Sequence, residues 1–307
     1  MNLTIGILTS NAEHLIGEQL ASLEAGLSGV DDWQLVICDS GSTDRTVELA
    51  RELAPKATVV ELPGNPGFAA QANAVIAAEP RADAILIMSR TTRLHPGCAG
   101  LLLRALATPG VGVAVPRLIN RHGQAAPSLR RRPTLRGAWL AALIGGRGLR
   151  RLPEWAEMVP DPESYSADTR FDWATGAVTL FSAECAAALG GWDESFFLYS
   201  EETDFALRAA DHGYAIRFVP DAVATHLGGE SKQRPEFWAH TVANRVRLYG
   251  MRHRRPAAAS FWTASLVGEV IRLPSRPVTR RAAIVKLLRE GPALIAGRPA
   301  RKPPERS

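Results

Sequence analysis

Cysteine is scarce in this chain of 307 residues: Cys38, Cys98 and Cys185 are widely spaced and never fall into the short paired intervals that bind zinc. Neither a metal finger nor a disulfide framework is expected, and a reducing cytoplasm is the natural compartment. A long apolar run is missing as well. No stretch of about 18 apolar residues occurs, and the opening MNLTIGILTS carries no basic lead, which predicts neither membrane spanning nor secretion. No G-x-G-x-x-G turn follows the first apolar segment, which disfavours a dinucleotide-dependent oxidoreductase. Charge is not in excess either. At 46% hydrophobic and 22% charged residues the composition is that of a globular enzyme rather than a disordered chain. The length allows one large domain, with or without an appendage.

The charge that is present is unevenly placed. The net is +5, yet from Met251 to Ser307 thirteen Lys or Arg stand against three Asp or Glu, so the tail is basic and the body slightly acidic. This argues against a nucleic-acid protein with one positive face and for a tail that meets an anionic surface. The last residues, GRPARKPPERS, have the composition of a solvated end.

Periodicity gives the fold class. Leu3, Ile5 and Ile7 alternate and stop at Thr9, Ser10 and Asn11, a buried strand ending in a polar loop; Leu15, Ile16, Leu20, Leu23 and Leu27 then follow a helical spacing. The plan repeats with a strand over 34–38, a turn carrying Asp39 and Gly41 with Ser42 or Thr43 as helix cap, and a helix around Glu48. A third strand near 58–61 leads into the Gly-Asn-Pro-Gly loop at 64–67 and a small-residue helix, and DAILIMS is a fourth strand. Such alternation predicts an α/β, Rossmann-like, doubly wound and mostly parallel sheet, whose ligands bind outside the strand carboxyl ends. Further on, Gly176 to Tyr214 joins a Gly190-Gly191 turn, the aromatics Trp192, Phe196, Phe197 and Tyr199, and the acids Glu201, Glu202 and Asp204 at a helix start. There the dipole favours negative charge. Mutual repulsion predicts that at least one of the three acids has a raised pKa, and Phe205, Leu207 and Ala210 are expected to face inward. YAIRFVPDAVATH reads as strand, turn and strand.

Six blocks in order, SNAEHLIGEQLASL, VICDSGSTDRT, NPGFAAQANAVI, TTRLHPG, the stretch from Gly176 through HLGGES, and NRVRLYGMRH, resemble the inverting family 2 glycosyltransferases, specifically their bacterial rhamnosyltransferase-like branch. The resemblance covers roughly residues 1 to 250. It implies a GT-A-like domain over 1–250, followed by a basic amphipathic helical C-terminal extension over 251–307. The function it implies is transfer of a sugar, such as rhamnose or another deoxysugar, from a dTDP-, UDP- or GDP-sugar with inversion. In a pocket of that kind Asp39 would contact the base or ribose. Thr9, Asn11, Gly41, Asp44, Asn65, Gly67 and Asn73 would shape the pocket, although an Asx turn for Asn11, a helix cap for Asp44 and a plain tight turn for the glycines are equally compatible.

The same resemblance sets Ser89, Arg90, Thr91, Trp173, Gly176, Ala177 and His226 at the diphosphate and donor sugar. It also shows a departure: Thr91 stands where the family carries its metal-binding Asp, and a neutral hydroxyl is a poor ligand for Mg2+ or Mn2+. Two outcomes stay open. Arg90, aided by His226 or Arg93, replaces the cation at the diphosphate and the enzyme is metal-independent, or the chain is a non-catalytic binding or scaffold protein. Glu202 aligns with the catalytic base, with Glu201 as the competitor and Asp204 as a helix-positioning or acceptor-binding group. Lys232 and Arg234 follow a Gly-Gly loop that could close over the donor.

The segment from Gln124 to Asp172 is basic and apolar together, compatible with a face turned to a polyprenyl-lipid-linked or other glycan acceptor and with an ordinary insertion holding a buried helix. With the basic tail it predicts a cytoplasmic protein at the inner face of the cell membrane. Self-association is left open.

Overall fold

A computed structural model describes residues 1–149, 151–159, 165–166, 169–228 and 234–299; Lys232 and the final eight residues fall outside them. The chain begins with β1 (Leu3–Thr9), α1 (Ile16–Gly26), β2 (Trp33–Ser40), α2 (Thr46–Leu53), β3 (Thr58–Leu62), α3 (Phe68–Ala78) and β4 (Ala84–Ser89). All seven residues of β1 are buried, as a strand covered on both faces requires. Helix α2 starts later than the sequence suggests. Ser42 is drawn back to Asp39, and Asp44, rather than Ser42 or Thr43, accepts the Thr46 N–H at the helix start.

The middle of the chain supplies β5 (Thr92–Leu94), α4 (Cys98–Leu106), β6 (Val111–Ile119), β7 (Leu129–Arg130), α5 (Leu135–Leu149) and β8 (Trp173–Ala174). Then come β9 (Val178–Ser182), α6 (Ala183–Leu189), α7 (Glu201–Asp211) and β10 (Ala215–His226). Among the described residues the main sheet has the order β3-β2-β1-β4-β9-β6-β10-β5. Six strands run one way, while β9 and β5 run against their neighbours. The segment expected as strand, turn and strand is one strand, β10. Pro220 has no N–H to offer, so the ladder to β6 breaks between Val219 and Val223 and then resumes in the same direction.

Two apolar layers close the sheet. Ile16 and Leu23 of α1, Ala50 of α2 and Leu102 of α4 cover one face; Val75 of α3, Ala186 of α6 and Phe205 of α7 cover the other. Phe205 and Leu207 of α7 point inward as expected, but Ala210 is exposed and Ala209 takes the buried position. The chain ends in α8 (Pro235–Arg252), α9 (Arg255–Ile271) and α10 (Pro277–Ile295). These pack with α5 around Ala138, Val246, Phe261 and Leu287. Helix α8 runs straight across position 250, so the helical layer begins at Pro235 and recruits a helix from mid-chain. The segment from 124 to 172 therefore holds a helix that packs one side into this layer.

The sheet register fixes the site. Thr9 of β1 pairs with Asp39 of β2, Leu8 with Ser89 of β4, and Ser40 with Leu62 of β3, so four parallel strands end along one edge.

Candidate active site

The first half of the edge is a set of loops tied to one another. Asn11, with φ 46°, receives the Thr43 N–H on its side-chain oxygen and donates its own N–H to Ser42 Oγ. Asp39 is buried, and its carboxylate accepts the Ser42 N–H at 2.8 Å and the Ser42 hydroxyl. Asp44 accepts from Thr46 and from the Glu13 N–H. Against the upward push of desolvation, these hydrogen bonds, led by that of the Thr46 hydroxyl, hold its pKa below the usual value. Gly41 has φ 62°, and a Cβ there would collide with the Gly64 carbonyl oxygen. Ser40 donates to Asn65 Oδ1 at 3.1 Å. Thr9 is buried with its hydroxyl unpartnered among the described residues. Thr9, Asn11, Asp39, Gly41, Asp44 and Asn65 thus converge.

At the end of β4, Ser89 Oγ lies 3.2 Å from Thr91 Oγ1. Arg90 crosses to the end of β1, where its Nη1 donates to the Ser10 carbonyl. His226 pairs with Thr92 across β10 and β5, and the Leu227 N–H donates to the Thr91 carbonyl, so His226 stands beside Thr91. Hydroxyls, a guanidinium and an imidazole make up this corner. Without a carboxylate they do not fit a hard divalent cation, and no group of three or more His, Cys, Asp or Glu able to hold a metal occurs among the described residues. Arg93 does not face the corner. Its guanidinium donates to the carbonyls of Leu15, Arg90 and Thr92.

A bridge joins this corner to the acidic helix. The Ser89 N–H donates to the Ala177 carbonyl at 2.9 Å. Next to it, a Cβ on Gly176 would lie 3.2 Å from Glu202 Cβ and 3.6 Å from the Phe68 ring, so the loop sits tightly against the first turn of α7. Glu201 is buried there with Oε2 unpartnered among the described residues, and burial, followed by the neighbouring Glu202 charge, pushes its pKa well above the carboxylate range. Glu202 is raised to about 6, chiefly by desolvation and opposed by backbone N–H groups and by the charge of Arg130. It too keeps a buried, unpartnered Oε2 among the described residues. A proton acceptor poised near neutrality sits beside a second carboxyl whose burial favours its protonated form.

Five of the named residues engage the scaffold, Asp204 in the helix-positioning sense that was one of its two readings. Asp204 is also raised by burial, yet it takes Arg208 Nε at 2.7 Å, and Arg208 in turn holds the carbonyls of Leu189 and Gly191. Asn73 is occupied by both the N–H and the carbonyl of Trp192 and by Glu194. Gly67, with φ 103°, abuts the Phe197 carbonyl oxygen. Trp173 is buried in β8, its indole N–H given to the Arg131 carbonyl. Arg234 lies at the start of α8 with its guanidinium 5.6 Å from the Phe237 ring centre.

Sequence reasoning missed three supports. Gln71 of α3 is buried and donates to the Thr9 carbonyl at 2.9 Å, stitching the edge from below. Arg130 of β7, whose own pKa is lowered by burial, reaches Glu202 with its charge. Asn244 of α8 donates to the carbonyls of Leu198 and Tyr199 at 2.8 and 3.0 Å. It thereby holds Tyr199 and Ser200 in the left-handed conformation, φ 67° and 76°, from which α7 starts. Asn244 lies within NRVRLYGMRH, a block that signalled resemblance but not a task; nothing local marked Arg130 or Gln71.

Comparison with known proteins identifies the family and the fold. The family model described as glycosyl transferase family 2 matches residues 4–157, and one described as glycosyl transferase family group 2 matches 157–288. The N-acetylglucosaminyl-diphospho-decaprenol L-rhamnosyltransferase of Mycobacterium tuberculosis is 25% identical over 226 residues, 70% of this chain and 73% of that one. Two solved structures share the fold. The mannosyltransferase PcManGT of Pyrobaculum calidifontis, in complex with GDP-Man and Mn2+, has a TM-score of 0.56 at 18% identity and covers 95% of this chain and 80% of its own. S. aureus TarS 1-349 in complex with UDP has a TM-score of 0.56 at 12% identity, over 95% and 92%.

Proposed function

Because the chain belongs to glycosyl transferase family 2, we propose that the shared edge of β1, β2 and β4 holds a nucleoside diphosphate sugar and that Glu202 is the base which activates the acceptor. The chain is a nucleotide-sugar glycosyltransferase of GT-A fold. In the transfer, the acceptor oxygen attacks the anomeric carbon from the face opposite the diphosphate. Its proton passes to the Glu202 carboxylate, the new C–O bond forms, and the bond to the diphosphate breaks with its electron pair leaving on phosphate. Burial of Glu201 favours its protonated form, which directs the negative charge of the pair to Glu202. One observation carries this reading: a carboxyl with a pKa of about 6 stands against the Gly176–Ala177 loop that is bonded to the end of β4.

Charge on the departing diphosphate needs a counterpart. Arg90 supplies it in this reading, since it stands beside Thr91 and bridges β4 to β1, and a guanidinium matches phosphate oxygens with a fixed fork of donors. The Mn2+ of the mannosyltransferase neighbour is the competing solution. The name of the mycobacterial relative, an N-acetylglucosaminyl-diphospho-decaprenol L-rhamnosyltransferase, supports rhamnose as the sugar transferred and an acceptor linked to a polyprenyl diphosphate. The scaffold alternative lacks support, because the relatives are transferases and the carboxyl pair is retained.

Calorimetric titration of UDP, GDP and dTDP, each with Mn2+ and again with EDTA, tests the donor site. Binding that survives EDTA and is lost in Arg90→Ala is the expected result; absence of binding to every nucleotide in both conditions would sink the transferase reading.

A further inference from the structure

Helices α5 and α9 lie side by side and point the same way. The Trp139 indole donates to Ser260 Oγ at 3.1 Å, a Cβ on Gly268 would lie 3.3 Å from Ala142 Cα, and Arg272 donates to the carbonyls of Ala141 and Ala142. The helical run of α5 breaks at Gly145, φ 71°, beside the Arg272 guanidinium, and α9 ends at Ile271, so the break and the helix end meet at one corner. The start of α10 joins them there, because Arg280 binds the Glu269 carboxylate at 2.8 Å.

Five large aliphatic side chains at this corner stand in solvent: Leu143 62%, Ile144 45%, Val270 50%, Ile271 52% and Val278 71% exposed. Single exposed aliphatics are ordinary, but a cluster on three converging helix ends is not. The charge around them has one sign. Arg276 and Arg281 are exposed beside Val278, and Arg272 lies across the seam. No Asp or Glu occurs between Val270 and Arg289, nor between Leu135 and Arg151, and Glu269 is buried against Arg280. Aliphatic tips ringed by guanidinium groups, with carboxylates withheld, match the boundary between acyl chains and acidic headgroups. A protein partner of equal fit would have to be acidic and apolar at once over three helix ends.

We propose that this corner is where the enzyme docks on an anionic phospholipid bilayer, with the five aliphatic side chains in the acyl boundary and the arginines at the phosphates. No described helix is long and apolar enough to cross a membrane, so the attachment is peripheral to the bilayer core. The inference deepens the reading of a lipid-linked acceptor but stands on exposure and charge. Nucleotide titration tests the transfer reading, and vesicle flotation tests this one.

Full-length protein is floated with vesicles of phosphatidylcholine containing a quarter phosphatidylglycerol, and with phosphatidylcholine alone, at low and high salt. The wild type is expected to rise with the anionic vesicles. Ile271→Asp with Val278→Asp should weaken that binding about tenfold or more, and Arg276→Gln with Arg281→Gln about fivefold for each charge lost at low salt. Each variant should keep its melting temperature and its nucleotide affinity, which sets loss of docking apart from loss of fold. Wild-type protein that stays in the aqueous layer, or an Ile271→Asp/Val278→Asp variant that floats as well as wild type, overturns the proposal. A dimer seen by light scattering and dissolved by the same variant would also overturn it, by giving the corner to a second copy.

Discussion

Glu202 owes its suitability as a base to where its carboxyl is kept: desolvation raises it to about 6, and the charge of Arg130 keeps it from rising further. Only the deprotonated form can accept a proton, so kcat/KM should rise with pH along a limb near 6, and Glu202→Gln should lower kcat by about a hundred- to ten-thousand-fold with nucleotide affinity unchanged. Removing the positive charge in Arg130→Gln takes away a downward influence and should move that limb to higher pH; a limb that stays in place would sever Arg130 from the reaction. The two residues differ in how readable they are. Glu202 announces itself through adjacent acids at a helix start, whereas Arg130 belongs to a basic run without periodicity and acquires its meaning only when β7 and β8 fold against α7.

At the scale of elements, the active helix is aimed from behind by α8. Asn244 holds two carbonyls of the turn before α7, and Arg247 is buried beneath it, donating to Ser195 Oγ with its guanidinium 4.0 Å from the Phe196 ring centre. Asn244→Ala removes both carbonyl contacts and frees Tyr199 and Ser200 from a conformation they would not adopt unaided. It should cost about 1–3 kcal/mol of stability and reduce kcat while nucleotide titration stays normal, a split that simple destabilisation would not give. Gly67→Ala meets a positive φ and the Phe197 carbonyl together, so its melting temperature should fall by more than that of an exposed glycine such as Gly123 changed to Ala. The alternation of strand and helix was legible because each element repeats its own period. The late start of α2 was legible only in part, Asp44 as its cap being one of the open readings. The single strand β10 was not, since a ladder that breaks around Pro220 and resumes on the same neighbour depends on pairing far along the chain.

For the molecule as a whole, the buried acids set a direction of pH dependence. Glu201 and Glu202 hold protons more tightly when folded than at the ordinary value of 4.5, so the stability they contribute is fully present below that value and is lost as pH rises from there through their folded values, the loss for Glu202 being complete just above about 6. The melting temperature of Glu201→Gln relative to wild type should therefore climb as pH rises above about 4.5; a constant difference would show that Glu201 titrates as an ordinary carboxylate. The sequence by itself determined the α/β class, the strand ends at Thr9, Asp39 and Ser89, the acids on α7 and the basic tail, because periodicity and adjacent charges are properties of neighbours along the chain. Tertiary structure alone decided between the two readings of Asp204, and decided that Asn73 and Trp173 hold the scaffold, that Arg130 and Asn244 serve the site, and that α5 joins the C-terminal helices to leave an aliphatic, arginine-ringed corner in solvent. Burial, desolvation and hydrogen-bond partnership arise between residues far apart in sequence, and so exist only once the chain has packed.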